Sequence, residues 1–170
     1  MKTKLERAIE FATIAHTGQV RKYTGEPYVT HPIAVMEIVK TVPHTEEMLI
    51  AAVLHDTVED TDVTLNDVES EFGPAVATLV EHLTDVSKLE DGNRAIRKEI
   101  DRKHIAKASK DAMTVKLADL IHNTESIVKY GGGFAGIYIK EKKKLLKVLK
   151  QGDRTLMREA RRKVEEYYKR

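Results

Sequence analysis

No cysteine occurs in the 170 residues, which excludes disulfides and every thiolate metal site. Long apolar runs are missing as well. The run Met48–Leu54 falls far short of the ~20 residues a membrane-crossing helix requires. Neither sign of charge dominates: 29 Lys and Arg face 27 Asp and Glu, for a formal net charge of +2. That balance argues against a nucleic-acid partner, and the short apolar runs argue against a membrane one. The N-terminus, Met1-Lys-Thr-Lys-Leu-Glu-Arg7, does not resemble a signal peptide, so a cytoplasmic location is expected. Strand-like alternation of useful length, internal repeats and interdomain linkers are absent too. What remains, 41% hydrophobic and 33% charged, suits a folded soluble chain, with one domain over residues 1–170 as the expectation.

Helical spacing fills the gap. Leu5, Ala8, Ile9, Ala12 and Ala15 recur at helical intervals before Gly18, and Gly25 and Pro27 punctuate a loop over residues 19–30. Pro32 suits the first position of a helix carrying Ile33, Val35, Met36, Ile38 and Val39, with His31 just before it. Thr45 can cap a helix over the apolar run, Thr64-Leu-Asn-Asp67 resembles a capping box, and Gly73-Pro74 separates two short helices. Residues 87–93 read as a mobile connection, 94–110 as a basic helix, and 111–125 as an apolar one. Past Gly131-Gly-Gly133, two charged helices over about 136–150 and 154–169 turn Ile137, Leu145, Leu146, Val148 and Leu149 inward. The fold class is all-α, a compact multi-helix bundle.

The apolar run drives into His55, Asp56, Glu59 and Asp60. On one continuous helix, His55 stacks over Glu59 and Asp56 over Asp60. Carboxylates crowded at a helix C-terminus oppose its partial negative charge. Two readings stand: a solvated acidic helix end, or a set of side chains awaiting a cation. Lys116, Asp119 and Asn123 form one polar stripe, either a surface ion pair or part of a site. The basic residues Arg94, Arg97, Lys98, Arg102, Lys103, Lys107 and Lys110 read as a solvated face, or as a flank that attracts phosphate. His31, His55, Asp56 and Asp119 would together make a nitrogen–oxygen shell suited to Mn²⁺, Fe²⁺ or Zn²⁺. Spacing alone does not bring them together.

Three stretches carry a resemblance: Arg21-Lys-Tyr-Thr-Gly-Glu-Pro-Tyr-Val-Thr-His-Pro32, His55-Asp-Thr-Val-Glu-Asp60 and Lys116-Leu-Ala-Asp-Leu-Ile-His-Asn123. In this order they resemble the HD phosphohydrolase superfamily. Within it they resemble the hydrolase domain of the Rel/SpoT alarmone enzymes and the small stand-alone hydrolases related to metazoan SpoT homologues. The resemblance implies His31, His55, Asp56 and Asp119 as ligands of one Mn²⁺ ion, and Glu59 and Asp60 as the pair acting on the attacking water. It implies Arg21, Lys22 and Asn123 as contacts to a guanine nucleotide, with Tyr130 and Tyr138 as further candidates. The implied reaction removes the 3′-pyrophosphate of guanosine 3′,5′-bispyrophosphates. Thr124-Glu-Ser126 departs from the Met-Arg-Thr that often follows the Asn in these families. Hydrolysis of another phosphorylated nucleotide is the alternative; a non-enzymatic sensor is opposed by the Glu59-Asp60 pair, which a binder does not need.

Overall fold

The computed structural model describes residues 1–170, folded as ten α-helices, one of them a single turn. Outside the helices one isolated bridge, Val20 to Pro27, closes the loop after the first helix. Helix α1 (Lys4–Ala15) starts on a reciprocal cap: Thr3 Oγ1 accepts from the Glu6 N–H, and the Glu6 carboxylate accepts from the Thr3 N–H. Helix α2 spans Thr30–Lys40, α3 spans Glu46–Leu54 with Thr45 as its cap, and α4 is the turn Thr57–Asp60. Thr64 and Asp67 form the expected box at the head of α5 (Leu65–Phe72). Gly73, at φ +93°, then turns the chain into α6 (Pro74–Leu83), a left-handed conformation that favours glycine.

A 3₁₀ turn at Leu89–Asp91 leads to α7 (Arg94–Ile105), α8 (Lys110–Tyr130), α9 (Gly133–Leu146) and α10 (Arg154–Tyr167). Every residue from Met48 to Leu54 is buried, so α3 is apolar on all sides and forms the middle of the bundle. It packs on α1, α2, α6 and α8, while α8 also carries α9 and α10. Ile50, Leu54, Leu117 and Leu120 are among the fully buried side chains where α3 and α8 contribute to the core, each stabilising the fold by about 1.5–3 kcal/mol. No helix is long and apolar enough to cross a membrane.

Several elements differ from the sequence expectation. His55 to Asp60 is not one helix: α3 stops at Leu54, and a new turn begins at Thr57. The break is held locally, because His55 Nδ1 donates to the Ala52 carbonyl and Thr57 Oγ1 to the Leu54 carbonyl, satisfying acceptors that a helix end leaves free. Apolar spacing carries no record of that competition. Helix α2 starts at Thr30, which puts His31 inside it and Pro32 at its third position, where the missing N–H is equally harmless. Ile137 faces solvent, at 53% exposure, while Ala135, Tyr138 and Ile139 turn inward. Where the connection over 87–93 begins, the Asp101 carboxylate accepts from the Val86 and Ser87 N–H groups and from Ser87 Oγ.

Candidate active site

Three helices deliver four donor side chains to one point. Helix α2 supplies His31, the end of α3 supplies His55 and Asp56, and α8 supplies Asp119. His31 Nε2 lies 3.0 Å from Asp119 Oδ1 and 3.7 Å from Asp56 Oδ2. His55 Nε2 lies 3.1 Å from Asp56 Oδ2 and 3.4 Å from Asp119 Oδ1. Donors bonded at ~2.0–2.2 Å to one ion would stand ~3–3.5 Å from one another, so these spacings suit a single ion. His55 Nε2 is buried with no hydrogen-bond partner, since neither carboxylate lies along its N–H line. An orphaned buried nitrogen beside two carboxylates fits a divalent cation of the kind bound by mixed imidazole and carboxylate sets. His31, His55 and Asp56 also lie close enough together to hold an ion as a trio.

Each donor is steered from behind. His55 Nδ1 is taken by the Ala52 carbonyl at 2.6 Å, and His31 Nδ1 meets His122 Nδ1 at 2.7 Å. Tyr28 Oη donates to Asp56 Oδ2 at 2.7 Å. Asp119 Oδ2 accepts from Lys116 Nζ at 3.0 Å, and Asp119 Oδ1 from Asn123 Nδ2 at 2.9 Å. The Lys116–Asp119–Asn123 stripe therefore faces inward. Its ion pair is not a surface one.

The local field is arranged for positive charge. Burial alone would raise Asp119, yet Lys116, His31 and His55 hold it well below the ordinary carboxylate range. Burial likewise opposes ionisation of Asp56, and His55 overrides it to keep that carboxyl low. His55 is raised well above its usual value: burial works against the imidazolium, but Asp56 and Asp119 win. His31 goes the other way, lowered by burial despite Asp119. A proton on His55 thus occupies the place that a metal cation would take over.

Glu59 and Asp60 line the open side, and both side chains are exposed to solvent. Glu59 Oε1 accepts from the Asp85 N–H at 2.8 Å. Burial of its inner side and the Asp85 charge push its carboxyl up to about 7. Asp60 is pushed up to about 6 by burial and by Asp56. With Asp56 they form a second group of convergent carboxylates.

Arg21 reaches from the 19–30 loop to α8, donating to Asn123 Oδ1 at 3.1 Å and to Ser126 Oγ at 3.4 Å. Its guanidinium lies over the Tyr28 ring, 5.8 Å from the centroid. Arg21, Lys22, Tyr28, Asn123, Ser126 and Phe134 line a cavity of about 250 Å³. The three expected nucleotide contacts therefore share one hollow beside the donor set. On the other flank Lys98, Arg102, Lys116 and Lys142 border a smaller void of about 40 Å³ next to Asp85. Lys142 is pushed down to about 8 by burial and by Lys116 and Lys98. The basic segment thus divides: Arg94 pairs with Glu141 and Lys103 with Glu99, while Lys98 and Arg102 turn toward the void.

Tyr28, His122 and Asp85 escaped the sequence reading. Tyr28 and His122 stand inside the quoted motifs, but their partners are 28 and 91 positions away. Of the other candidates, Tyr130 is exposed and Tyr138 is buried against Thr124. Glu125 does not enter the hollow; Lys163 on α10 holds it at 2.6 Å.

Residues 8–131 match the HD-domain family. The GTP pyrophosphokinase of Streptomyces coelicolor is 40% identical over 126 residues, which cover 73% of this chain and 15% of that protein. The bifunctional (p)ppGpp synthase/hydrolase SpoT of Escherichia coli is 40% identical over 127 residues, 73% of this chain and 18% of the other. The chain therefore spans less than a fifth of the length of these relatives. Among solved structures, a metazoan orthologue of SpoT that hydrolyses ppGpp matches with a TM-score of 0.83 at 31% identity, covering 99% of this chain and 96% of that one. A Listeria monocytogenes protein matches with a TM-score of 0.71 at 25% identity, over 88% and 100% of the two chains. With its His55-Asp56 pair set between His31 and Asp119 at the crossing of three helices, this chain belongs to the HD-domain family.

Proposed function

We propose that the chain is a Mn²⁺-dependent hydrolase that removes the 3′-pyrophosphate of guanosine 3′,5′-bispyrophosphates, giving GDP or GTP and pyrophosphate. The observation that carries this reading is the joining of three parts in one place. The clustered side chains of His31, His55, Asp56 and Asp119, two carboxylates raised toward neutrality and the hollow at Arg21 and Asn123 adjoin one another. His31, His55, Asp56 and Asp119 would hold the ion. When bound, a divalent cation supplies Lewis acidity, lowering the pKa of water and neutralising phosphate charge.

The chain's own groups do the rest. Glu59, poised near 7, takes the proton of the attacking water at a carboxylate oxygen, which the Asp85 N–H keeps in place. Asp60 lies beside it and holds the water in line. Arg21 offers a flat guanidinium to the base, with Asn123 fixing its orientation, and Lys22 meets phosphate. Lys98, Lys116 and Lys142 give the opposite flank a positive potential for the other phosphates. The likeness to the metazoan SpoT orthologue, which extends over nearly the whole chain, supports the substrate class.

One observation favours a second reading, hydrolysis of another phosphorylated nucleotide. Position 125 carries an acid tied to Lys163, where the resembling families often carry a base. Incubation of the purified protein with ppGpp and Mn²⁺ decides between them, with pyrophosphate release as the readout. Turnover of ppGpp above a panel of 5′-nucleotides and dinucleotide phosphates supports the first reading. Absence of ppGpp turnover across several divalent metals overturns it.

A further inference from the structure

We propose that His122 is a positioning residue for the metal centre, fixing the tautomer and the ring plane of His31. The inference rests on the metal reading above and deepens it. His31 Nε2 points among the donors, and His31 Nδ1 points away, 2.7 Å from His122 Nδ1. Two imidazole nitrogens at that distance share one proton: with none their lone pairs repel, and with two their protons collide. To ligate through Nε2, a neutral His31 must carry its proton on Nδ1. His122 Nδ1 must then be the acceptor, and the His122 proton must sit on Nε2.

The other imidazole ligand is fixed differently. His55 Nδ1 faces the Ala52 carbonyl, which can only accept, so its tautomer follows from the backbone. No backbone group performs that task for His31, and a side chain does. The spacing makes this work. Asp119 and His122 lie three residues apart on α8, on one face. Helix α8 thereby brackets one imidazole, with Asp119 at its Nε2 side and His122 at its Nδ1 side. The rings of His31 and His122 also stack, with centroids 5.0 Å apart and planes at 28°.

Stacking alone would be a packing contact, so the test must separate ring from acceptor. His122→Phe keeps a ring and removes the acceptor. His122→Asn removes the ring and keeps an amide oxygen near the Nδ1 position. Partners of this kind behind ligating histidines contribute about 10–100-fold to metal affinity. Mn²⁺ and Co²⁺ dissociation constants, measured by chelator competition, should therefore rise by about 10–100-fold for His122→Phe and by less than about threefold for His122→Asn. Thermal unfolding in EDTA verifies that both variants fold. Histidine ¹⁵N shifts of the wild-type protein loaded with Zn²⁺ give a readout that needs no variant: the proton belongs on Nδ1 of His31 and on Nε2 of His122. Wild-type affinity in His122→Phe, an Asn variant as weak as the Phe variant, or a proton on His122 Nδ1 overturns the inference alone. Failure of the wild-type protein to take up any divalent ion overturns the metal reading with it.

Discussion

Asp119→Asn tests the centre at its most connected atom. The carboxylate is nearly enclosed, with a side-chain exposure of 9%, and both its oxygens are engaged. Removing its charge leaves the buried Lys116 ammonium without its hydrogen-bonded counter-ion and leaves His55 with Asp56 alone. Breaking a buried pair from one side costs about 3–5 kcal/mol, and the amide oxygen can still accept from Lys116, so the lower end applies. For a chain of this length 1 kcal/mol moves the midpoint by roughly 2–4 °C, so the metal-free variant should unfold about 6–12 °C below the wild type. Metal then separates the two proteins further. At a Mn²⁺ concentration 100 times Kd, the wild type gains about 2.7 kcal/mol, or ~5–10 °C. A site weakened a hundredfold gains only RT ln 2 at that concentration, about 0.4 kcal/mol or ~1 °C. Calorimetry with EDTA and with Mn²⁺ reads both differences. A variant that unfolds with the wild type in EDTA, or shows the full metal-induced rise, would refute the reasoning.

Glu59→Gln should keep the metal-induced rise in midpoint and lose about 10²–10⁴-fold in turnover, measured as pyrophosphate release; full activity with metal bound would show that another group takes the proton. The same variant should affect the metal-free protein in a pH-dependent way. The folded pKa of Glu59 is raised to about 7 from 4.5, so the stability it contributes is complete below pH 4.5 and lost as pH rises to 7. Glu59→Gln should thus stabilise the protein in EDTA at pH 8 by about 1 kcal/mol, a value reduced for the solvent at its open edge, and not at pH 4. Arg21→Ala should raise KM about tenfold with kcat within about threefold, because a base contact is made alike in ground and transition states; a fall in kcat alone would move Arg21 into the chemistry. Gly152→Ala should destabilise by about 1–3 kcal/mol in urea titration, since its Cβ would stand 2.6 Å from Leu117 Cδ1 behind the site.

Local signals were the legible ones. The caps Thr45 and Thr64 and the Gly73 break act within a few residues, so the helix starts they govern are visible in the sequence. The four candidate ligands could be named through the quoted motifs, and the structure brings all four together. What stayed hidden depends on distant partners or on competition. Tyr28 acquires its role only when the end of α3 arrives beside it, and His122 only when α8 meets α2. The break at His55 arises from two side chains capturing helical carbonyls, which hydrophobic periodicity cannot register. Ile137 looked like core because it is apolar, but the phase of α9 is set by Ala135, Tyr138 and Ile139.

The delivery of donors from three separate helices has a mechanical consequence. His31 and Asp119 are 88 positions apart in the chain, and an ion held between them ties α2 to α8 as a covalent bridge would. A disulfide closing a loop of that size constrains the unfolded chain by about 4–5 kcal/mol. This chain has no cysteine to form one. The cation would act as a removable staple, so that chelation loosens the α2–α8 contact and hydrogen exchange along both helices reports whether the centre is filled.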